Sequence, residues 1–141
     1  MKVTLTAEEM QLAGLFEQET GATVKDCLVD DDHDRVIFLV KTGEMAQAIG
    51  AGGEHVGRVE NKIGRSIKLV EDAPTAADFV ANALAPAAVY NVTVSENGDT
   101  VAYAEVAEED QGVAIGEAGK NIEAARELAS RHYDIDGIEL T

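Results

Sequence analysis

Basic residues, cysteine, proline and large aromatic side chains are all scarce in this sequence. A single cysteine among 141 residues excludes an intrachain disulfide, and with it a disulfide-stapled secreted domain. The longest purely apolar runs are of the size of Val36–Val40, far below the roughly 18–20 residues that span a bilayer. The first residues, Met1–Thr6, lack the apolar segment and the cleavage site of a signal peptide. We therefore expect a cytoplasmic protein without a membrane segment.

The charge balance is strongly acidic. Eleven Lys and Arg residues stand against 27 Asp and Glu residues, which gives a net charge of −16 and a pI near 4.3. Nucleic-acid-binding proteins are usually basic, because neutralising phosphates supplies most of their affinity, so the composition alone argues against RNA or DNA. The same bias is typical of proteins adapted to molar internal salt, where like-charge repulsion is screened. We favour this halophilic origin, under which the acidity reflects the solvent and not the binding partner.

The order of predicted secondary structure repeats once along the chain. Each half reads helix, strand, strand, helix, helix, strand, which predicts a duplicated α+β fold. Thr6 and Glu9 form a capping box at the start of the first helix, and Thr75 can cap the equivalent helix of the second half. The boundary between the halves falls near Asp72, so the predicted domains are 1–72 and 73–141.

A glycine motif also repeats when one half is shifted by 66 residues over the other. The motif Ile-Gly-x-x-Gly stands at Ile49–Gly53 and again at Ile115–Gly119, each time between two predicted helices. Glycine permits positive φ angles and a close backbone approach, and the following helix N-terminus attracts phosphate. The simpler alternative is a tight turn that needs glycine for geometry alone. Repetition at the same place in both halves favours a phosphate-binding function.

These two motifs resemble the Gly-x-x-Gly loops of the KH domain family in its prokaryotic type, type II. Two such domains with almost no linker resemble the archaeal NusA-related transcription factors. The resemblance implies two tandem type II KH domains, each with a three-stranded sheet covered by three helices in the order α-β-β-α-α-β. It also implies that each loop clamps single-stranded RNA beside an apolar groove for the bases, and that RNA polymerase is a partner in elongation or termination. The implied loop contacts are Gly50, Ala51, Gly52, Gly53, Gly116, Glu117, Ala118 and Gly119.

Departures from the family pattern leave a second function open. KH loops that bind RNA well usually carry a basic residue at a variable position, whereas Glu117 would face phosphate with the wrong sign. Arg58, Lys62 and Arg65 share one face if their helix extends that far, and Lys120 follows the second loop. We include Arg58, Lys62 and Lys120 among the candidate RNA contacts, although ordinary surface charge also explains the first two. The alternative is a degenerate KH pair that serves as a protein-interaction module on RNA polymerase or the ribosome.

Enzymatic, cofactor and metal functions find no support in the motifs. A P-loop ending at Gly119-Lys120 would need glycine at Ala114 and a hydroxyl at Asn121. The carboxylates between Asp30 and Asp34 lack the spacing of a calcium loop and are read as a solvated turn. Cys27 lies in a predicted strand and is read as a core residue. We therefore expect no enzyme activity, no cofactor and no metal, and a monomeric chain.

Overall fold

The computed structural model describes residues 3–141, which divide into two compact units. One unit is Thr4–Asp72, and the other includes Ala73–Thr141. Each unit contains three α-helices and one three-stranded sheet. The predicted α+β fold class and the predicted element order are confirmed in both.

The first unit has the predicted order of helix, strand, strand, helix, helix, strand. Its sheet has the strand order β1-β2-β3, with β1 antiparallel to β2 and β2 parallel to β3. The elements in chain order are α1 (Ala7–Thr20), β1 (Val24–Asp30), β2 (Arg35–Val40), α2 (Met45–Ile49), α3 (Glu54–Ile63) and β3 (Ser66–Glu71).

The second unit repeats this topology, with one antiparallel and one parallel strand pair in the order β4-β5-β6. Its last helix is longer than the equivalent helix of the first unit, 14 residues against 10. Equivalent residues of the two units are therefore 66 positions apart at the glycine loops, but the final strands, β3 and its counterpart, are further apart than that. The elements in chain order are α4 (Ala76–Ala83), β4 (Val89–Asn97), β5 (Asp99–Val106), α5 (Gln111–Ile115), α6 (Lys120–Tyr133) and β6 (Gly137–Leu140).

The predicted helix caps are present. The Thr6 hydroxyl accepts the Glu9 amide at 3.1 Å, and the Glu9 carboxylate accepts the Thr6 amide at 2.7 Å, which completes the capping box. The Thr75 hydroxyl accepts the Asp78 amide at 3.2 Å in the same way. These bonds satisfy amides that a helix start leaves without intrahelical partners.

Buried residues on both sides of each glycine loop fix its position. In the first unit, Ala48 precedes the loop and Val59 follows it, and both are fully buried in the core with Phe16 and Phe38. In the second unit, Ala114 precedes the loop and Ala125 follows it at the position of Val59, and both are buried. Each loop is therefore held between two helices that pack into the core of its unit. None of the helices between residues 3 and 141 is long and apolar enough to cross a membrane.

Candidate nucleic-acid interface

The first glycine loop uses backbone conformations that glycine readily adopts. Gly50 has φ 77° and ψ 170°, a region that is essentially restricted to glycine, while Gly52 and Gly53 have φ 63° and 78° in the left-handed region. The Gly50 amide donates to the Ala46 carbonyl at 2.9 Å and closes α2, and the Gly53 amide donates to the Gly50 carbonyl at 3.1 Å. The chain thereby reverses from α2 into α3 within a few residues.

The second loop has the same conformation, although its two variable residues differ. Gly116 has φ 79° and ψ 166°, and Gly119 has φ 75°. Ala118 occupies the position of Gly52 with φ 55° and ψ 25°, an uncommon conformation for alanine. The Gly119 amide donates to the Gly116 carbonyl at 3.0 Å, as in the first loop. The two loops therefore share one backbone conformation although their variable residues differ. Ala118 shows that the third position of the Gly-x-x-Gly motif accepts a side chain.

Exchanging the residue types at this third position tests the backbone strain. We expect Ala118→Gly to raise the free energy of unfolding by about 0.5–1 kcal/mol, because alanine at positive φ is strained. Gly52→Ala should lower it by a similar amount, since nothing lies within 4 Å of the added Cβ and only the backbone conformation matters. Thermal unfolding by circular dichroism should show opposite shifts of a few degrees. Shifts in the same direction would contradict this account.

Each loop is held by a polar side chain from the helix that follows it, a role not among the predicted ones. The Nδ1–H of His55 donates to the Gln47 carbonyl at 2.8 Å, since a carbonyl can only accept. Asn121 lies at the equivalent position and donates from Nδ2 to the Val113 carbonyl at 3.0 Å. Both bonds tie the start of the helix after the loop to the helix before it. In the sequence, the only sign of this shared role is that His55 and Asn121 are separated by the same 66 residues as the two glycine motifs.

The same side chains explain why the first glycine of each loop has no room for a Cβ. A Cβ at Gly50 would lie 2.6 Å from the His55 ring and 2.9 Å from the His55 amide nitrogen. A Cβ at Gly116 would lie 2.9 Å from both Cβ and the amide nitrogen of Asn121. The first glycine is therefore required by packing as well as by its backbone angles.

Both loops present exposed backbone next to exposed apolar side chains. The variable positions, Ala51 and Gly52 in one loop and Glu117 and Ala118 in the other, are exposed. Ile49 is 38% exposed and Ile115 is 44% exposed, although large aliphatic side chains are usually buried. This combination can hold a sugar-phosphate backbone at the loop while apolar surface contacts the bases.

The candidate cations after the first loop are already paired. Arg58 lies 3.0 Å from Glu54 and 3.8 Å from Glu19, and Lys62 donates a hydrogen bond to Glu19. The Lys62 hydrogen bond and the two positive charges hold the pKa of Glu19 below its usual value, against a smaller opposing effect of burial. Arg58 and Lys62 remain 42% and 49% exposed. Their positive charge therefore reaches solvent, but it is compensated locally.

Arg65 does not join this face. The expectation that it shares a face with Arg58 and Lys62 required the helix to continue, whereas α3 ends at Ile63 and Gly64 turns the chain with φ 69°. Arg65 instead lies beside an open polar depression of about 430 Å³ between the end of α3 and β3. The physical reason is the left-handed C-cap, which redirects the following residue.

The second loop contains one acidic residue, Glu117, and is followed directly by one basic residue, Lys120. Lys120 is the first residue of α6, half-buried, and its Cγ lies 3.3 Å from where a Cβ at Gly116 would be. Val113 and Ile115 on α5 are 42% and 44% exposed. The exposed surface of α5 before the second loop is thus more apolar than that of α2 before the first loop, where the polar Gln47 stands at the position of Val113.

Cys27 is the one cysteine of the sequence, and it is a free thiol. Burial raises the pKa of the Cys27 thiol to about 12, so the thiolate needed for nucleophilic attack is scarce at neutral pH. Cys27 is fully buried, as the sequence predicted. Across residues 3–141, no group of His, Cys and carboxylate side chains is placed to hold a metal ion.

Two KH families match the sequence. The family described as "KH domain" matches residues 12–97, and the family described as "NusA-like second KH domain" matches residues 76–141. The first match includes the first glycine loop, and the second match includes the second loop. Both loops therefore lie within regions of KH type.

Curated relatives match over the full length. The chain is 64% identical over 141 residues to "Probable transcription termination protein NusA" of Halobacterium salinarum, and the match covers 100% of both chains. It is 59% identical over 140 residues to the protein of that name from Halococcus morrhuae, at 99% of each chain. A Methanocaldococcus jannaschii protein of the same name is 36% identical over 140 residues, 99% of this chain and 75% of the relative. The two halobacterial relatives agree with the halophilic origin predicted from the composition.

A solved structure shares the whole fold. The crystal structure of APE1850 superposes with a TM-score of 0.82 at 33% sequence identity, and the match covers 97% of this chain and 100% of that one. The full-length identity to the relatives, the two KH matches and this structural likeness show that the chain belongs to the NusA-like family of tandem KH-domain proteins.

Proposed function

We propose that the protein is a single-stranded RNA-binding transcription factor that acts with RNA polymerase in elongation or termination. The observation that carries the proposal is the pair of glycine loops, which share one backbone conformation and stand beside the exposed Ile49 and Ile115. The names of the relatives support a role in transcription termination. The prediction that the chain is not an enzyme agrees with its family, whose members are KH-domain proteins without catalytic activity. We further propose that it acts as a cytoplasmic monomer.

The proposed contacts divide into backbone and side-chain groups. The loop residues bring backbone amides and the N-termini of α3 and α6 close to phosphate, which favours negative charge without requiring a basic side chain. Arg58, Lys62 and Lys120 add positive charge beside the loops. The full proposed set is Gly50, Ala51, Gly52, Gly53, Arg58, Lys62, Gly116, Glu117, Ala118, Gly119 and Lys120.

RNA crosslinking in molar KCl, with the crosslinked peptides mapped, tests the proposal directly. Crosslinks should concentrate on the peptides that contain the two glycine loops, and on the adjoining segments of α2, α3, α5 and α6. Crosslinks confined to other surfaces would overturn the assignment of the loops as the RNA contact.

The affinity for RNA should depend only weakly on salt. The logarithm of the association constant K falls with the logarithm of the salt concentration, with a slope of about −0.7 for each phosphate neutralised on a single strand. Because few cations flank the loops, and two of them are compensated by carboxylates, we expect a slope no steeper than about −2 to −3. A short unstructured RNA should still bind measurably above about 1 M KCl in a fluorescence anisotropy titration.

Duplexes provide the control for this titration. Duplex RNA and duplex DNA should bind much more weakly, because their bases are paired and cannot reach the apolar surface beside the loops. A steep slope, with binding lost above about 0.5 M KCl, would mean that ordinary phosphate electrostatics dominates. The glycine loops would then have no demonstrated part in affinity.

A protein-interaction module on RNA polymerase or the ribosome is the second candidate function. Glu117 favours it, because an exposed carboxylate in the second loop repels phosphate. The exposed Val113 and Ile115 on α5 favour it too, since large apolar side chains exposed on a surface can serve as contacts for another protein. Copurification with RNA polymerase, combined with no RNA affinity at any salt concentration, would select this function.

A further inference from the structure

Glu19, near the end of α1, lies between the two basic side chains that follow the first loop. Its carboxylate accepts a hydrogen bond from Lys62 and lies 3.8 Å from the guanidinium of Arg58. Glu54 lies 3.0 Å from the same guanidinium. Two positive and two negative charges meet here, so the cluster is neutral as a whole.

The cluster lies where an RNA strand leaving the loop along α3 would pass. Arg58 and Lys62 follow Gly53 by five and nine residues, which corresponds to about 8 Å and 14 Å along the helix axis. Both side chains are partly exposed, whereas Glu19 is only 16% exposed. A phosphate can therefore approach the cations from solvent while Glu19 holds them from the protein side.

We propose that Glu19 is an intramolecular competitor of RNA phosphate for Arg58 and Lys62, and that it sets the salt dependence of binding at the first loop. This inference rests on the proposed RNA-binding function. A phosphate that takes a cation from Glu19 releases a counterion from the RNA but leaves a carboxylate that attracts a cation from solvent. Net ion release is then small, and added salt competes little with binding.

Neutralising Glu19 should therefore change the salt slope, which a merely structural tie between α1 and α3 would not do. For Glu19→Gln we expect the slope of log K against log salt to steepen by about 0.7, the contribution of one phosphate. The affinity at about 0.5 M KCl should rise by about two- to fivefold, in line with the strength of exposed ion pairs. Glu19→Gln combined with Glu54→Gln should steepen the slope by about 1.4.

Glu8→Gln is the matched control. It removes the same charge from the same helix, but it lies eleven residues earlier, about 16 Å from Glu19 along the helix axis. The slope of log K against log salt for Glu8→Gln should equal that of the wild-type protein. Glu54→Gln alone is a second, independent variant, since Glu54 is an exposed side chain at the start of α3 whose loss should leave the fold intact. Circular dichroism confirms that each variant is folded before RNA is titrated.

The outcomes separate this inference from the proposed function. Steeper slopes for Glu19→Gln and Glu54→Gln, with Glu8→Gln unchanged, support the competition. Equal slopes for all proteins, or equal steepening by Glu8→Gln, overturn it while RNA binding stands. If neither the wild-type protein nor Glu19→Gln binds RNA, the RNA-binding function fails and the competition fails with it.

Discussion

Replacing both Ala51 and Gly52 by aspartate lowers the affinity for single-stranded RNA by at least about tenfold, the expected result of placing two negative charges where phosphate binds. Both positions are exposed, and nothing lies within 4 Å of a Cβ added at Gly52. Aspartate tolerates the left-handed conformation of Gly52 better than most residues. Gly50 and Gly53 remain, so the loop keeps its shape. Anisotropy titration at fixed KCl measures the loss.

The matched control replaces the same two residues by asparagine. Asparagine is nearly isosteric with aspartate and equally tolerant of positive φ, so this variant carries the same backbone change without the charge. It should bind RNA within about threefold of the wild-type protein. Equal losses in both variants would indicate a steric or conformational effect. Unchanged binding in both would mean that the first loop is only a turn, which favours the protein-interaction function.

The second loop provides an internal comparison. Ala118→Asp should weaken RNA binding less than the change in the first loop, because Glu117 already makes the second loop unfavourable for phosphate. Conversely, Glu117→Gln should strengthen binding. If Ala118→Asp is instead the more damaging change, the second loop is the main RNA contact despite its carboxylate.

The glycine loops were predictable from the sequence because local chemistry determines them. Helix α3 runs from Glu54 to Ile63 because Gly53 and Gly64, both with positive φ, stand at its two ends. The helix starts at Thr6 and Thr75 were predictable for the same reason, because a side chain and an amide three residues apart form the cap.

The electrostatics of the site was not predictable in the same way. The spacing of Arg58 and Lys62 on one helix predicts a shared RNA contact, but their partner Glu19 precedes Lys62 by 43 residues and lies on a different helix. No local pattern reveals this pairing, because it depends on how α1 packs against α3. The tie between His55 and Gln47 spans eight residues and depends on the loop conformation itself.

The sheets show a second limit of local patterns. All six residues of β2 are buried, so its apolar run has no alternation that would distinguish the two faces of the strand. In β5 the alternate residues Ala102, Ala104 and Val106 are buried and Tyr103 is exposed, which is the pattern expected of a sheet with one solvent face.

The stability of the fold should itself depend strongly on salt. A net charge of −16 on 141 residues produces self-repulsion that grows as the Debye length increases from about 3 Å at 1 M to about 10 Å at 0.1 M salt. We expect the melting temperature to rise by more than about 10 °C between 0.1 M and 2 M KCl, because screening several kcal/mol of repulsion moves the Tm of a chain of this size by that amount. Circular dichroism at 222 nm over a KCl series measures it.

Two comparisons separate charge repulsion from a general effect of cosolutes. Sucrose at equal osmolality is excluded from the protein surface but does not screen charge. It should therefore raise the melting temperature far less than KCl does. The variant Asp31→Asn/Asp32→Asn/Asp34→Asn removes three exposed charges from the turn between β1 and β2. It should melt higher than the wild-type protein at 0.1 M KCl, and the two curves should converge above 1 M as screening removes the difference. A melting temperature that is flat in KCl would remove the halophilic explanation of the acidity, and the charge would again weigh against RNA as the partner.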